Sequence, residues 1–165
     1  MYAEVVRYLD SDAVVASDDV RRWIDSGDLL TWSAVYALTR SHPEILGDAQ
    51  IDFARRYLLR CLEENPSSGD TLHGGYEAAW ELAACLKEWR AQGGLAAKAL
   101  RGIALDLDKI YRRGDDATRN RILCGVLEHA FEDPAVRAFF TDWERDEELR
   151  EAYRLGLEWG AAHEE

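Results

Sequence analysis

The stretch LAAKALRGIALDLDKIY, residues 95–111, decides the fold class, because its apolar side chains recur at steps of three and four residues. A helix turns about 100° per residue, so this spacing places them along one side. Two later segments repeat the pattern, and we therefore predict helices over 95–111, 134–143 and 146–162. The core-facing residues predicted for these three helices are Leu95, Ala99, Leu100, Ile103, Leu107 and Ile110; Val136, Phe139, Phe140 and Trp143; and Leu149, Ala152, Tyr153, Gly156, Leu157 and Gly160.

Turn-forming residues divide the whole chain into segments of helical length, and β-branched residues cluster only in EVVRY and DAVVAS. The sequence therefore predicts an all-α protein with a single domain over residues 1–165 and about eight helices. Two units of about 45 residues, 71–113 and 116–162, would each form a helical hairpin, although their sequences share little similarity. The architecture expected is either a compact irregular bundle or a short HEAT-like stack of such hairpins.

The turn segments also predict where helices stop and start. Pro66 should end one helix, and Ser68 or Asp70 should cap the next. Gly114, which follows two arginines, is predicted to adopt the left-handed conformation that often ends a helix. The N-cap residues predicted for the later helices are Asp115 or Asp116, and then Asp133, which precedes Pro134.

The charge of the chain limits its functions. The net charge is −12, distributed as −5, +1 and −8 over residues 1–69, 70–113 and 114–165. Such a surface repels phosphate backbones, so we expect no nucleic-acid partner. Apolar runs are too short to cross a bilayer, and the N-terminus lacks the pattern of a signal peptide. The three cysteines fit reduced thiols, so we expect a cytoplasmic protein. We expect neither a membrane partner nor a cofactor.

One cluster of potential ligands is CGVLEHAFEDP, residues 124–134. On a helical projection Glu128 and Glu132 lie opposite the apolar stripe, whereas His129 and Cys124 lie on its two borders. Cys124 and His129 therefore cannot share a metal through this helix alone. Glu128, His129 and Glu132 can face one another, but a metal would need further ligands from another element. A solvated face with a histidine at the edge of the core is the competing interpretation.

A second candidate is TLHGGYEAAWELAACLKEW, residues 71–89. Two adjacent glycines disfavour a helix interior, so we expect the helix to begin near Gly75, with His73 in the preceding loop. Tyr76, Ala79, Ala83 and Leu86 should face the core, whereas Trp80 lies off this stripe. The functional interpretation is a contact surface or small pocket. Its candidate residues, with those of the first cluster, are His73, Tyr76, Glu77, Trp80, Glu128, His129 and Glu132.

Catalytic motifs are missing from the sequence. No serine lies in a Gly-x-Ser-x-Gly context, the four histidines are scattered, and no loop has the spacing that holds a nucleotide phosphate. The six tryptophans fit either a core or an interface. The pair Gly156 and Gly160 predicts that the last helix approaches a neighbour closely.

The run VLEHAFEDPAVRAFFTDWERDEELREAYRLGLEWG, residues 126–160, with YEAAWELAACLKEW, residues 76–89, resembles small all-helical bacterial proteins of unassigned function. Some small acidic helical proteins of this kind are immunity proteins that neutralise a toxin. The resemblance implies a helical fold and a protein partner, and it assigns no functional residue.

Three functions remain as expectations. The first is a non-catalytic, immunity-like inhibitor that uses its acidic C-terminal third to bind a basic protein. The second is a ligand- or metal-binding bundle, an enzyme with a pocket near His73, Glu77 and His129. The third is a homodimeric scaffold that pairs through Trp80 or through the face of Gly156 and Gly160.

Overall fold

The computed structural model describes residues 1–9, 11, 14–67 and 69–162, except the side chains of residues 95–97 and 161. Ser68 and the side chain of Leu95, for which the sequence makes predictions, lie outside this part of the chain, as does His163, one of the four histidines. The described residues form helices and turns with no strand. The α-helices are α1 Tyr2–Leu9, α2 Ser17–Asp25, α3 Leu29–Ser41, α4 Gln50–Glu64, α5 Gly75–Gln92, α6 Leu95–Arg113, α7 Asp116–Asn120, α8 Glu128–Ala130, α9 Pro134–Arg137, α10 Thr141–Arg145 and α11 Arg150–Ala161.

The predicted all-α fold is confirmed, in the form of a compact bundle. α5 lies at its centre and packs against α4, α6, α8 and the segment between α7 and α8. α11 covers the same segment from the other side, and α1 and α2 pack on α3. Buried apolar residues from Val5 to Tyr153 form one core cluster.

Apolar periodicity identified the core positions of the later helices. Leu100, Ile103, Leu107 and Ile110 of α6 are all buried, as predicted. The predicted helix 134–143 is broken into α9, a 3₁₀ turn Ala138–Phe140 and α10. Val136, Phe140 and Trp143 of its predicted core face are buried, whereas Phe139, inside the 3₁₀ turn, is half-buried.

The predicted helix boundaries were partly wrong. Asp115 and Asp133 are N-caps as predicted, and each accepts a backbone N–H bond at 2.8 Å. Gly114 is extended, with φ −76° and ψ 154°, because it leads directly into the cap of α7. Asp70 does not cap α5: the helix begins later, at Gly75, where the Glu77 carboxylate accepts the Gly74 N–H at 2.6 Å.

A π-helical segment, Arg121–Leu127, joins α7 to α8 without a break. A π segment has a wider turn than an α-helix and is frequent near functional sites. Gly125 of this segment lies against α5, where an added Cβ would come within 2.5 Å of the Ala79 Cβ. This close approach fixes the distance between the two helices that carry the candidate residues.

The last helix makes the close approach that its glycines predicted. A Cβ on Gly156 would lie 2.9 Å from the Leu127 Cβ, and one on Gly160 would lie 3.0 Å from the Phe131 carbonyl carbon. Both glycines are buried inside the bundle. The face of Gly156 and Gly160 is therefore occupied within the chain, which removes it as a surface for pairing with a second copy.

Candidate functional site

The residues singled out in the sequence lie in two separate places. His73 belongs to a half-buried aromatic cluster between α3, α4 and the loop that precedes α5. Tyr76, Trp80, His129 and Glu132 lie on the surface formed by α5 and the α7–α8 helix. His73 is therefore not a partner of His129.

His73 anchors the loop before α5 to the body of the protein. Its ring lies edge-on to Tyr36 and Tyr57, with centroids 5.4 and 5.7 Å away. Its Nδ1 lies 3.3 Å from the Tyr57 hydroxyl. The preceding residue of the loop, Leu72, donates its backbone N–H to Ser33 Oγ at 2.6 Å. Burial lowers the pKa of His73, so the neutral ring is favoured here. This environment fits a structural histidine.

Trp80 is the largest apolar side chain on the candidate surface, and 51% of it is exposed. Tyr76, one turn earlier, is 38% exposed, with its ring centroid 6.1 Å from that of Trp80. The exposure of Trp80 agrees with its predicted position off the apolar stripe. The prediction that Tyr76 faces the core was wrong: its ring lies over Gly125, and its hydroxyl accepts a bond from Asn120 Nδ2 at 2.7 Å.

We define the aromatic face as Tyr76, Trp80, Lys87, His129 and Glu132. Two hollows flank Trp80 on this face. One, of about 300 Å³, lies toward Pro66 and Glu77, and the other, of about 630 Å³, lies between Trp80, Lys87 and His129. Large aromatic side chains are enriched at sites that bind another protein.

Ion pairs organise one end of the aromatic face. The ammonium of Lys87 contacts the Glu132 carboxylate, and His129 Nδ1 lies 3.6 Å from the same carboxylate. The hydrogen bond from Lys87 is the main cause that lowers the pKa of Glu132, so this side chain is a carboxylate at neutral pH. The predicted contact between His129 and Glu132 is present, whereas Glu128 lies half-buried in the same helix.

Two carboxylates of α5, Glu77 and Glu81, have structural partners. Glu77 caps α5, and Glu81 accepts a bond from the Tyr36 hydroxyl at 2.9 Å and also pairs with Arg40. Within the described residues, no three of His, Cys, Asp and Glu lie close enough together to hold a metal ion. Burial raises the pKa of the Cys61 thiol to about 11 and that of the Cys85 thiol to about 12, which keeps both protonated and poorly nucleophilic.

The acidic C-terminal third is partly neutralised by the middle of the chain. Lys87 pairs with Glu132, Arg90 with Asp133 at 2.9 Å, and Arg112 with both Asp146 and Glu148 at 2.6 and 2.8 Å. Charges that are separate along the sequence therefore meet in space. This third is therefore not a continuous unpaired acidic surface.

Asn120 and Gly125 also shape this surface, and neither was among the candidate residues predicted from the sequence. A glycine inside a strongly helical stretch costs about 1 kcal/mol, so Gly125 was a usable signal of close packing. The partner of Asn120 depends on how α7 lies beside α5, which no local pattern reports.

Comparisons of the chain with protein-family models, with curated proteins and with solved structures found no match. Throughout the part of the chain that the structure describes, every helix is too short or too polar to cross a bilayer. What the protein does must therefore be inferred from its own surface.

Proposed function

We propose that this chain acts without catalysis, by binding a basic protein through the aromatic face, as an immunity-like inhibitor would. The observation that carries the proposal is the exposure of Trp80, 51%, beside Tyr76 and at one hollow with Lys87, which pairs with Glu132. Tryptophan and tyrosine are the residues most enriched where interfaces gain their binding energy. On binding, Trp80 would become buried in a pocket of the partner. Side chains of the partner would enter the two hollows beside Trp80.

Electrostatics support a basic partner over an acidic one. A net charge of −12 attracts a cationic protein and accelerates its association at low salt. On the aromatic face itself, a lysine or arginine of the partner would compete with Lys87 for Glu132. Because these side chains are partly exposed, added salt should weaken the attraction.

The proposal is tested by capture from native lysate, with wild type, Trp80→Ala and Tyr2→Ala as matched baits. Tyr2 is 42% exposed on α1 and provides an exposed aromatic residue outside the aromatic face. We expect wild type and Tyr2→Ala to retain a basic protein that moderate salt releases. Trp80→Ala should lose about 2 kcal/mol of binding free energy, about thirtyfold in Kd. Equal retention by all three baits, or retention of no basic protein by wild type, would contradict the proposal.

A homodimer through Trp80 is the second candidate, favoured by the same exposed aromatic residue. The Gly156 and Gly160 face is closed within the bundle, so Trp80 alone remains for this role. Light scattering over a range of concentrations distinguishes the two: a dimer that Trp80→Ala abolishes would replace the partner proposal. The metal-binding alternative has its own measurement, which is the metal content of the purified protein.

A further inference from the structure

A concave surface separate from the aromatic face lies between α6 and the α9–α10 segment. The cavity measures about 620 Å³, within the range of small-molecule sites. Its apolar lining includes Ala104, Leu105, Phe139 and Trp143. Leu105 is 58% exposed, whereas Leu100 and Leu107 of the same helix are fully buried. Exposed apolar surface of this kind costs free energy unless something covers it.

Two opposite charges line the same cavity without meeting. Arg101 comes from α6 and Asp142 from α10. Within the described residues neither side chain makes an ion pair or a hydrogen bond, either with the other or with a third residue. Arg112, which also lines the cavity, differs in this respect, because Asp108, Asp146 and Glu148 occupy its guanidinium.

We propose that this cavity binds a small zwitterion with an apolar body, of the chemistry of a free apolar amino acid or a short apolar peptide. Its carboxylate would pair with Arg101, whose planar guanidinium can bond both oxygens. Its ammonium would pair with Asp142, and its apolar body would cover Leu105 and Phe139. A ligand with only one charge would make one ion pair instead of two, so we expect it to bind more weakly than a zwitterion with an apolar body.

The first experiment titrates wild type with L-phenylalanine, L-leucine and phenylalanyl-leucine, followed by the NMR signal of the Trp143 indole. Glycine lacks the apolar body, 3-phenylpropionate lacks the ammonium, and phenethylamine lacks the carboxylate. We expect saturable binding of a zwitterion that has an apolar body, and binding at least about tenfold weaker for each of the three truncated probes. A comparison of the affinities of the two amino acids with that of the dipeptide distinguishes a site for a free amino acid from a site for a peptide.

Variants then locate the binding. Arg101→Gln and Asp142→Asn should each weaken it about tenfold, because each removes one charged contact. Arg145→Gln is the matched control, an exposed arginine of α10 that does not line the cavity. Since all three residues are exposed, thermal unfolding should be unchanged. No saturation by any zwitterion, equal binding of the single-charge probes, or insensitivity to both variants would overturn the proposal. A dimer that Leu105→Glu dissociates would also overturn it, because a second copy would then fill the cavity.

This site and the aromatic face can be tested independently. Trp80 does not line the cavity, so Trp80→Ala should leave the titration unchanged. Arg101→Gln should likewise leave the capture of a basic protein unchanged.

Discussion

Arg121 is a charged side chain that the fold buries, with 5% of its surface exposed. Its Nε donates to the Leu62 carbonyl at 2.8 Å, in the last turn of α4, and its Nη2 donates to Thr118 Oγ1 at 2.9 Å. A cation at a helix C-terminus is favourable because the last carbonyls lack intrahelical partners. Arg121 therefore ties the end of α4 to the start of the π segment, behind the aromatic face.

Replacing Arg121 by methionine should lower the free energy of unfolding by about 2–3 kcal/mol. Methionine preserves much of the volume, but it leaves the Leu62 carbonyl without its bond. Urea denaturation measures the change. Arg21→Met is the control, since the Arg21 side chain is 73% exposed, and it should change stability by less than about 0.5 kcal/mol. An equal effect of both substitutions would show that Arg121 has no special role.

His73 should make stability depend on pH near neutrality. Burial, the largest cause, lowers its folded pKa below the ordinary 6.5, while Glu81 and Glu77 oppose this shift. The folded state thus favours the neutral ring, so this contribution is complete above pH 6.5 and is lost as the pH falls through 6.5 toward the lowered value. We expect the difference in unfolding free energy between wild type and His73→Gln to shrink between pH 7.5 and pH 5.5. A difference that grows on acidification would contradict the assignment.

At the scale of elements, the contact between α5 and the π segment builds the aromatic face. Gly125 lets the two helices approach closely, and Ala78 and Ala79 of α5 are fully buried. This approach places His129 at the hollow beside Trp80. A bulkier residue at this contact would force the helices apart, because neither Ala79 nor the backbone can rotate away.

Gly125→Ala should therefore destabilise the protein by about 1–3 kcal/mol, although alanine is the better helix former. Gly102→Ala, in the middle of α6, is the matched control. There the three atoms nearest to an added Cβ belong to the guanidinium of Arg55, the closest at 3.0 Å, so a small shift of this side chain and of its partner Asp106 relieves the contact without moving the backbone. We expect the control to be neutral or stabilising by up to about 1 kcal/mol. Thermal unfolding of both variants provides the comparison, and a loss of stability in neither would refute the tight contact.

The sequence alone predicted most of the residues that face the core in each helix, and the exceptions have physical causes. The spacing of Leu100, Ile103 and Leu107 predicted a buried helix face, because core packing depends on local periodicity. A projection at 100° per residue also placed Trp80 outside. It could not place Tyr76, because that ring is held by Gly125 and Asn120 of another helix. Nor could it predict a π segment, in which the angle per residue itself changes.

For the whole molecule, charge pairing across the bundle replaces the division seen along the sequence. Cations of residues 70–113 reach carboxylates of residues 114–165, as Lys87 reaches Glu132 and Arg112 reaches Asp146. Composition predicted the acidic character of the chain but not these contacts, which depend on tertiary proximity. The acidic surface is consequently less concentrated than the sequence indicated, and the exposed aromatic residues become the stronger signal of a partner.

Lys87→Gln should lower stability at neutral pH by less than about 1 kcal/mol, because the Lys87–Glu132 pair is partly exposed and screened. Lys87 holds the folded pKa of Glu132 below its ordinary 4.5, so the pair contributes above that value. The contribution is lost as the pH falls through the lowered pKa. Urea denaturation at pH 7 and pH 3 measures the loss of stability and its dependence on pH, with substitution of the exposed Lys98 by Gln as the control. A loss that persists unchanged at pH 3 would show that packing, not charge, is responsible.

The most direct measurement of the central claim is photo-crosslinking in cells from single sites of the full chain. A benzophenone amino acid replaces Ala84 in one variant, an exposed residue of the hollow beside Trp80, and Tyr2 in the other, an exposed residue of α1. Binding of a basic partner through the aromatic face predicts one crosslinked basic protein from position 84 and none from position 2. Equal crosslinks from both positions, or none from position 84, would contradict it.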